Sequence, residues 1–171
     1  MLDPMVPHPT PPPAGDGVRW LDEEEQAAWR AFLAATQRLM EQLDRELQAG
    51  AGLPHAYYEI LVRLSEAPGR AMRMSDLADR CQSSRSRLSH AVARLEEQGR
   101  VRREAVPSDR RGAVAVLTDA GFAALEAAAP VHVGSVRRHL FDRLTPDQVA
   151  ALAEISRAIA GPLAAAPDPS G

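Results

Sequence analysis

The sequence has a single cysteine, no lysine and few aromatic residues, which make up 4% of its 171 positions. One cysteine cannot form an intrachain disulfide, so a reducing, cytoplasmic setting is expected. No stretch approaches the roughly 18–20 consecutive apolar residues of a membrane span. The N-terminus lacks the basic start and apolar core of a secretory signal. These absences predict a cytoplasmic globular protein that is not inserted in a membrane.

The absence of lysine makes arginine the sole basic residue type, and the formal net charge is −3. A negative net charge by itself argues against nucleic-acid binding. The distribution of charge reverses that interpretation, because residues 70–112 contain 11 Arg against 6 acidic residues. Both flanking segments are net acidic. A basic segment between acidic ones indicates a local anionic partner, such as the phosphate backbone of DNA.

Common catalytic signatures are also missing: there is no G-x-S-x-G, P-loop, dinucleotide-binding glycine pattern or H-E-x-x-H. Serines and a histidine cluster at 83–90, but a hydrolase would also need an acidic third member and a preformed pocket. His132 and His139 lie seven positions apart, without the compact spacing of metal ligands. The sequence therefore predicts no enzymatic activity, no metal and no cofactor.

Helical periodicity dominates the first third of the chain after a Pro- and Gly-rich start. Asp22 is placed to cap a long helix with apolar residues at three- and four-residue steps, ending at Gly50–Gly52. Its length predicts packing against a partner chain. A second helix is predicted over 54–66, beginning at Pro54. Near the C-terminus, Thr118 and Thr145 are placed to cap two more helices, the first of them kinked or interrupted at Pro130.

The central segment has the pattern of a helix-turn-helix followed by a hairpin. Ser75 is expected to cap a short helix, and residues 82–84 form a turn. A second helix carries Leu88, Val92 and Leu95 at i, i+4 and i+7 and stops at Gly99. Two hairpin arms follow, one at Val101 and 104–106 and the other at 113–117, joined by the turn-rich residues 107–112.

The second helix of this pair has the composition of a recognition helix. With its apolar stripe inward, its polar side chains lie at its N-terminal end or face outward, where Arg can pair with guanine and Ser or His can reach bases or phosphates. A solvated charged face is the plainer interpretation. The side chains predicted to contact DNA on this helix are Ser84, Arg85, Ser86, Arg87, Ser89, His90 and Arg94.

The hairpin tip supports DNA contact. It carries two adjacent arginines, Arg110 and Arg111, and the negative potential of a narrow minor groove attracts inserted arginine. Asp109 is expected to pair with Arg111 and to hold its side chain in position. An ordinary surface turn with an incidental ion pair is the alternative.

Residues 109–121 fit the pattern D-x-R-x-x-x-x-x-L-T-x-x-G at every fixed position. In this pattern the chain resembles the MarR family of winged helix-turn-helix transcriptional regulators. Residues 74–78 and 87–99 also look like the helix-turn-helix of that family, and the similarity covers roughly residues 22–163. The combination of motifs is specific, whereas a helix-turn-helix pattern alone would not be.

The resemblance implies a mainly α fold with a small β-hairpin wing. It also implies an obligate homodimer on a pseudo-palindromic double-stranded DNA operator, with half-sites about 34–36 Å apart. Arg111 would enter the minor groove, braced by Asp109. The implied domains are a disordered extension (1–20), dimerisation helices (21–52 and 118–163), the winged helix-turn-helix (53–117) and a disordered tail (164–171).

The implied function is sequence-specific repression of transcription that a small phenolic or acidic effector relieves. Activation stays open, since it depends on operator position. A winged-helix protein–protein interaction module without DNA binding is the alternative function, although both tip arginines are present. Aromatic residues from three helices are expected to line the effector pocket unless they serve plain core or dimer packing: Trp29, Phe32, Tyr57, Tyr58 and Phe122. Cys81 is expected to be a core residue rather than an oxidant sensor.

Overall fold

The computed structural model describes residues 19–106 and 109–164, and side chains over 19–105 and 112–161. Within these ranges the order of elements is α1 (Glu23–Ala51), α2 (His55–Ser65), β1 (Ala71–Arg73), α3 (Met74–Arg80), α4 (Arg85–Glu97), β2 (Val101–Val106), β3 (Asp109–Leu117), α5 (Asp119–His139) and α6 (Pro146–Ala164). Mostly helical with one small sheet, this arrangement confirms the predicted fold class. The ends predicted to be disordered lie almost wholly outside the described residues. Among the described helices, none combines the length and hydrophobicity needed to cross a membrane.

Helix α1 begins with reciprocal capping. Asp22 Oδ1 accepts the backbone N–H of Glu25 at 2.8 Å, and Glu25 Oε2 accepts the backbone N–H of Asp22 at 3.0 Å. These bonds satisfy donors that the first turn of a helix otherwise leaves without partners. The helix ends before Gly52, whose φ of 62° lies in the left-handed region. The chain forms two compact units that divide within α1, since the first unit ends at Arg38 and the second begins at Leu39.

The core of the second unit lies among α2, α3, α4 and the sheet. Apolar residues at helical spacing on the three helices turn toward one another, and burial of each is worth about 1.5–3 kcal/mol. Five of them have no exposed surface: Leu61, Leu64, Leu77, Val92 and Leu95. The core therefore fixes α3 and α4 in the two-helix arrangement that the sequence predicts.

The sheet has the strand order β1-β3-β2 and is antiparallel throughout. The β2–β3 hairpin confirms the predicted arms, but β3 begins at Asp109 rather than at Ala113. β1 was not predicted from the sequence. It is three residues long and pairs with β3 more than 40 positions later, Ala71 opposite Val116, so no local pattern reveals it.

The predicted cap at Ser75 is wrong. Helix α3 begins at Met74 with Arg73 at the cap position, where φ is −60° and ψ is 143°. The chain passes directly from β1 into the helix, which leaves no room for a separate cap. The Ser75 hydroxyl instead donates to Asp76 Oδ1 at 3.0 Å.

Helix α5 is continuous over 21 residues, so Pro130 does not interrupt it; the alternative, a kink at Pro130, stays a prediction. Pro130 lies on an exposed part of the helix surface, where water can bond to the carbonyl that proline leaves without an N–H partner. The predicted cap at Thr145 is confirmed. Thr145 Oγ1 accepts the backbone N–H of Gln148 at 3.3 Å, and Gln148 Oε1 accepts that of Thr145 at 2.9 Å.

Candidate DNA-binding surface

The recognition helix is α4, and its sequence explains its orientation. Ser84 caps it, since its hydroxyl oxygen accepts the backbone N–H of Arg87 at 3.3 Å. Leu88, Val92 and Leu95 are buried and hold the helix against the core. The predicted contact residues Arg85, Ser86, Arg87, Ser89, His90 and Arg94 are all exposed.

The structure divides these polar residues between two clefts on either side of α4. On the wing side, Arg85 and Ser89, one helical turn apart, line a cleft of about 390 Å³ that is called the wing cleft below. Its other polar lining comes from Arg73 at the end of β1, Ser75 in α3 and Arg103 in β2. Three arginines from three separate elements therefore meet at one place.

On the opposite side, Arg87, His90 and Arg94 line a wider groove between α4 and α2, with a volume of about 840 Å³. Arg94 Nη1 lies 2.8 Å from Glu97 Oε2. This hydrogen-bonded pair raises the pKa of Arg94, which therefore remains charged. Ser86 projects between the two clefts, on the face of α4 opposite its core stripe.

The wing is joined to the recognition helix by an ion pair that was not predicted from the sequence. Arg103 Nη2 and Nε lie 2.6 and 2.8 Å from Glu96 Oε2, and Glu96 Oε1 accepts the Arg103 backbone N–H at 3.0 Å. The hydrogen bonds from Arg103 lower the pKa of Glu96, so the carboxylate stays ionised. No sequence motif identifies Arg103 as a functional residue. The feature of the sequence that could have indicated it is its position in the strand that follows the turn at Gly99.

The three residues predicted to act at the wing tip lie where only the backbone is described. Asp109 pairs with Val106 across the hairpin, and β3 continues through Arg110 and Arg111. The pairing shifts register between Ala105 and Val106, which marks an irregularity near the tip. The side chains of Asp109, Arg110 and Arg111 lie outside the described residues, so the predicted brace stays a prediction.

The L-T-x-x-G part of the motif has a structural role. Thr118 Oγ1 accepts the backbone N–H of Gly121 at 3.0 Å, which confirms the predicted cap of α5, and donates to the Gly99 carbonyl at 2.7 Å. The Thr118 backbone N–H also reaches the Arg100 carbonyl at 3.1 Å. These bonds attach the start of α5 to the turn between α4 and β2, at the base of the wing.

The aromatic residues predicted to line an effector pocket have different surroundings. Trp29 and Phe32, in the first unit, are about half exposed and stack with ring centroids 6.3 Å apart. In the second unit, Tyr58 is buried against the His132 ring at 4.6 Å, and Tyr57 lines the groove between α2 and α4. Phe122 lies beneath the Arg70 guanidinium at 3.9 Å. Neither cleft described here is lined by more than one of these residues, and the effector pocket stays a prediction.

Cys81 is half-buried at the end of α3 and lines the groove between α2 and α4. Burial and the nearby Glu59 carboxylate raise its pKa to about 11, although Arg63 partly opposes this shift. Its thiol is therefore protonated at neutral pH. His132 contacts the rings of Tyr58 and His55, whereas His139 Nε2 lies 2.6 Å from Glu46 Oε1. Among the described residues, no three His, Cys, Asp or Glu side chains form a group able to hold a metal.

Comparison with known proteins agrees with this geometry. A family model described as "MarR family" matches residues 51–112. The chain is 53% identical to Sco3205 of Streptomyces coelicolor, a MarR family transcriptional regulator crystallised with DNA, with a TM-score of 0.80 over 85% of this chain and 91% of that one. It is 47% identical to AbsC, a MarR family transcriptional regulator of the same organism, with a TM-score of 0.79 over 87% and 100% of the two chains.

A third MarR family structure from Streptomyces coelicolor, Sco5413, is 24% identical, with a TM-score of 0.69 over 82% of this chain and 97% of that one, and supports the fold alone. Comparison with curated protein sequences finds no match. The two relatives near 50% identity share the fold over most of both chains and carry the same family description. The chain therefore belongs to the MarR family of transcriptional regulators.

Proposed function

We propose that this protein is a homodimeric repressor that binds a pseudo-palindromic duplex operator, with α4 in the major groove and the wing tip in the minor groove. The observation that carries the proposal is the exposed polar face of α4. Helix α4 is capped by Ser84 and held by three buried residues, so that face has a fixed orientation. A relative 53% identical to this chain was crystallised with DNA, which supports the proposal over an interaction module without DNA binding.

The chemistry of α4 suits a major groove. The groove is about 12 Å wide and admits a helix, and its base edges offer acceptors to arginine. Arg85 and Arg87 begin the helix, where a recognition helix most often reaches base edges, and both are exposed. Ser86 and His90 project farthest from the core. In this arrangement the arginines read guanine, and the shorter side chains bond to bases or phosphates.

Dimerisation through the helices outside the winged domain accounts for exposed apolar residues that a monomer would leave in water. Trp29 and Phe32 on α1 are 52% and 48% exposed, and Ile155 and Ile159 on α6 are 56% and 46% exposed. Large apolar residues that are exposed next to one another on the same helix indicate an interaction surface. The proposed dimerisation region is 21–52 and 118–163, which would leave 53–117 to contact DNA.

The remaining parts of the proposal follow from this role. A regulator of this kind acts in the cytoplasm, where the chromosome lies, and needs no catalytic residue. Asp109 braces Arg111 for minor-groove insertion. Release by a small phenolic or acidic effector completes the repressor cycle, with the aromatic residues of α1, α2 and α5 as the first positions to examine.

The test selects operators from a random duplex library and then measures affinity by fluorescence anisotropy at about 150 mM salt. We expect nanomolar binding to the selected duplex, at least about 10³-fold tighter than to a scrambled one. Arg87→Ala should weaken specific binding by about 1–3 kcal/mol and relax the preference at one base pair. Arg111→Ala should weaken binding most at operators with a narrow minor groove.

Arg19→Ala is the matched control, because Arg19 is exposed and precedes α1, outside the proposed dimerisation region and both proposed DNA-contact elements. It should leave the affinity unchanged. Equal and weak binding to all duplexes, with no sequence enriched by the selection, would contradict the proposal and favour the interaction module. Sedimentation of Ile155→Asp tests the dimer, since a charge in the proposed interface should yield monomers that lose operator affinity.

A further inference from the structure

The turn between α2 and β1 has an unfavourable backbone conformation at an arginine. Gly69 and Arg70 in this turn have φ of 63° and 54°, both in the left-handed region. Glycine adopts this conformation freely, whereas the Cβ of any other residue crowds the backbone there. Among the described residues, Gln82 is the one other non-glycine residue with a positive φ. Glycine at position 70 would remove the strain, so the contacts of the arginine side chain must offset it.

The Arg70 side chain reaches the first turn of α5. Its guanidinium lies over the Phe122 ring, 3.9 Å from the centroid, and its Nη1 lies 3.4 Å from Asp119 Oδ1. A guanidinium at this distance from an aromatic face is attracted to the ring. The Asp119 side chain is fully exposed, so water screens its attraction for Arg70. Phe122 is partly buried against the core, and the stack on its ring is therefore the contact that holds Arg70.

This stack spans the joint between the sheet and α5. β3 ends at Leu117 and α5 begins at Asp119, so a single residue, Thr118, separates them. Ala71, the residue after Arg70, pairs with Val116 near the end of β3. Arg70 therefore connects the sheet on one side of the joint with α5 on the other. Together with the bond from Thr118 to the turn between α4 and β2, it attaches α5 to the winged domain at two points.

In the proposed homodimer α5 belongs to the dimerisation region, so the angle between α5 and the winged domain determines how far apart the two copies of α4 lie. We propose that Arg70, stacked on Phe122, is a positioning residue that fixes this angle and thereby the half-site separation that the protein accepts. The proposal rests on the proposed function, since it needs a dimer on an operator with two half-sites. In this role Arg70 contacts no DNA and acts through the placement of α4.

The first experiment measures how affinity depends on half-site separation. Inserting or deleting one base pair between the half-sites of the selected operator moves the second one by about 3.4 Å and rotates it by about 35°. Wild type should bind the altered duplexes at least about tenfold more weakly, since the protein or the DNA must deform to engage both half-sites. Arg70→Gly removes the side chain and relieves the strain of the turn. It should reduce this discrimination by about threefold or more.

Discrimination between duplexes separates positioning from stability. If Arg70→Gly lowered only the folded fraction, the affinities for all duplexes would fall by the same factor and their ratio would not change. Unfolding in urea measures the folded fraction independently. The slope of log K against log salt concentration should equal that of wild type, because Arg70 contacts no phosphate in this role. A slope smaller by about 0.9 per subunit would indicate a phosphate contact at Arg70 and would overturn the proposal.

The second experiment changes the two residues that Arg70 contacts. Phe122→Leu keeps an apolar side chain against the core and removes the aromatic face, so it should reduce discrimination as Arg70→Gly does. The double variant should show no further loss, because both substitutions remove the same contact. Asp119→Asn is the matched control and should retain the discrimination of wild type, because its side chain is fully exposed. Losses that add in the double variant, or a loss in Asp119→Asn as large as that in Phe122→Leu, would overturn the assignment to the stack.

The wild type provides the test of the underlying function. If it rejects the altered operators and Arg70→Gly rejects them equally, this inference is refuted and the proposed function stands. If the wild type binds no duplex, or binds the altered duplexes as tightly as the selected one, a dimer on two half-sites is contradicted. The proposed function then fails together with this inference.

Discussion

Gly121 lies against the backbone of Arg100 so closely that a Cβ on the glycine would be 2.0 Å from the Arg100 carbonyl oxygen and 2.7 Å from Leu117 Cδ1. This contact fits the first turn of α5 against the base of the wing. Alanine is a better helix former than glycine by about 1 kcal/mol. We nevertheless expect Gly121→Ala to destabilise the protein by about 1–3 kcal/mol, since backbone must shift to admit the methyl group. Equilibrium unfolding in urea measures the change.

Gly134→Ala is the control for this prediction. Gly134 lies in the same helix, and a Cβ built there meets no atom within 4 Å. The substitution should stabilise the protein by up to about 1 kcal/mol through helix propensity alone. If both variants changed the free energy of unfolding in the same direction, close packing at Gly121 would not explain the glycine of the L-T-x-x-G motif.

Glu46 joins α1 to α5 through several hydrogen bonds. Its Oε2 accepts from the Ser135 hydroxyl at 2.6 Å and from Arg138 Nη2 at 2.7 Å, and its Oε1 lies 2.6 Å from His139 Nε2. These bonds, with one from Gln42, lower the pKa of Glu46 far below its ordinary value. Since the folded state favours the ionised form, the resulting stability is complete above the unfolded-state pKa near 4.5. It is lost as the pH falls below that value.

We expect Glu46→Gln to lower Tm at neutral pH by roughly 2–4 °C, and the difference from wild type to shrink progressively below pH 4.5. Thermal unfolding followed by circular dichroism across pH 3–7 tests this. Glu41→Gln, at an exposed position of the same helix, is the matched control and should change Tm little. A gap between Glu46→Gln and wild type that stayed constant down to pH 3 would show that ionisation of Glu46 contributes nothing.

Local chemistry made several elements predictable from the sequence. The caps at Asp22, Thr118 and Thr145 were correct because a hydroxyl or carboxylate one turn before an apolar stripe satisfies helix donors wherever the helix packs. The apolar stripe of α4 was also correct, because its period determines which face is buried. These signals depend on residues within a few positions of one another.

Features that depend on distant contacts were not predictable. β1 exists because Ala71–Arg73 pair with a strand more than 40 residues away. Its presence puts Arg73 rather than Ser75 at the cap position, so α3 begins at Met74. The contribution of Arg103 to the surface arises from a turn that brings it beside Glu96. The predicted contacts on α4 were all exposed, but their division between two clefts required the positions of α2 and the wing.

The reactivity of Cys81 distinguishes a redox sensor from an inert thiol. With its pKa raised to about 11 from an ordinary value of 9.0, Cys81 has roughly 100-fold less thiolate at pH 8 than an ordinary cysteine. We expect alkylation by iodoacetamide, followed by mass spectrometry, to be slow at neutral pH and to accelerate up to pH 10 without levelling. Glu59→Gln removes a charge that disfavours the thiolate, so it should accelerate the reaction.

Glutathione under the same conditions provides the reference rate for Cys81. Rapid modification of the folded protein at pH 7, or a rate that levels off below pH 9, would show that the thiolate forms easily. Either result would favour a redox sensor at Cys81, whereas the partial burial of its side chain argues against one.

Glu96 offers a test in which two physical effects have opposite signs. Removing a negative charge from a DNA-binding surface should by itself tighten binding. Glu96 also holds Arg103 at 2.6 Å, and loss of this contact releases β2 of the wing from α4, so that the wing must be ordered again against the helix when DNA binds. We expect Glu96→Ala to weaken operator binding several-fold while leaving the salt slope unchanged, because the charge of Arg103 remains. Anisotropy titrations at several salt concentrations separate affinity from slope.

Glu104→Ala removes the same charge from the wing and is the matched control. Glu104 follows Arg103 in β2 and pairs with Arg102 rather than with an arginine of the wing cleft. This variant should bind DNA as tightly as wild type or more tightly. If Glu96→Ala strengthened binding as much as Glu104→Ala does, the carboxylate of Glu96 would act only through its charge. The fixed position of Arg103 would then contribute nothing to DNA affinity.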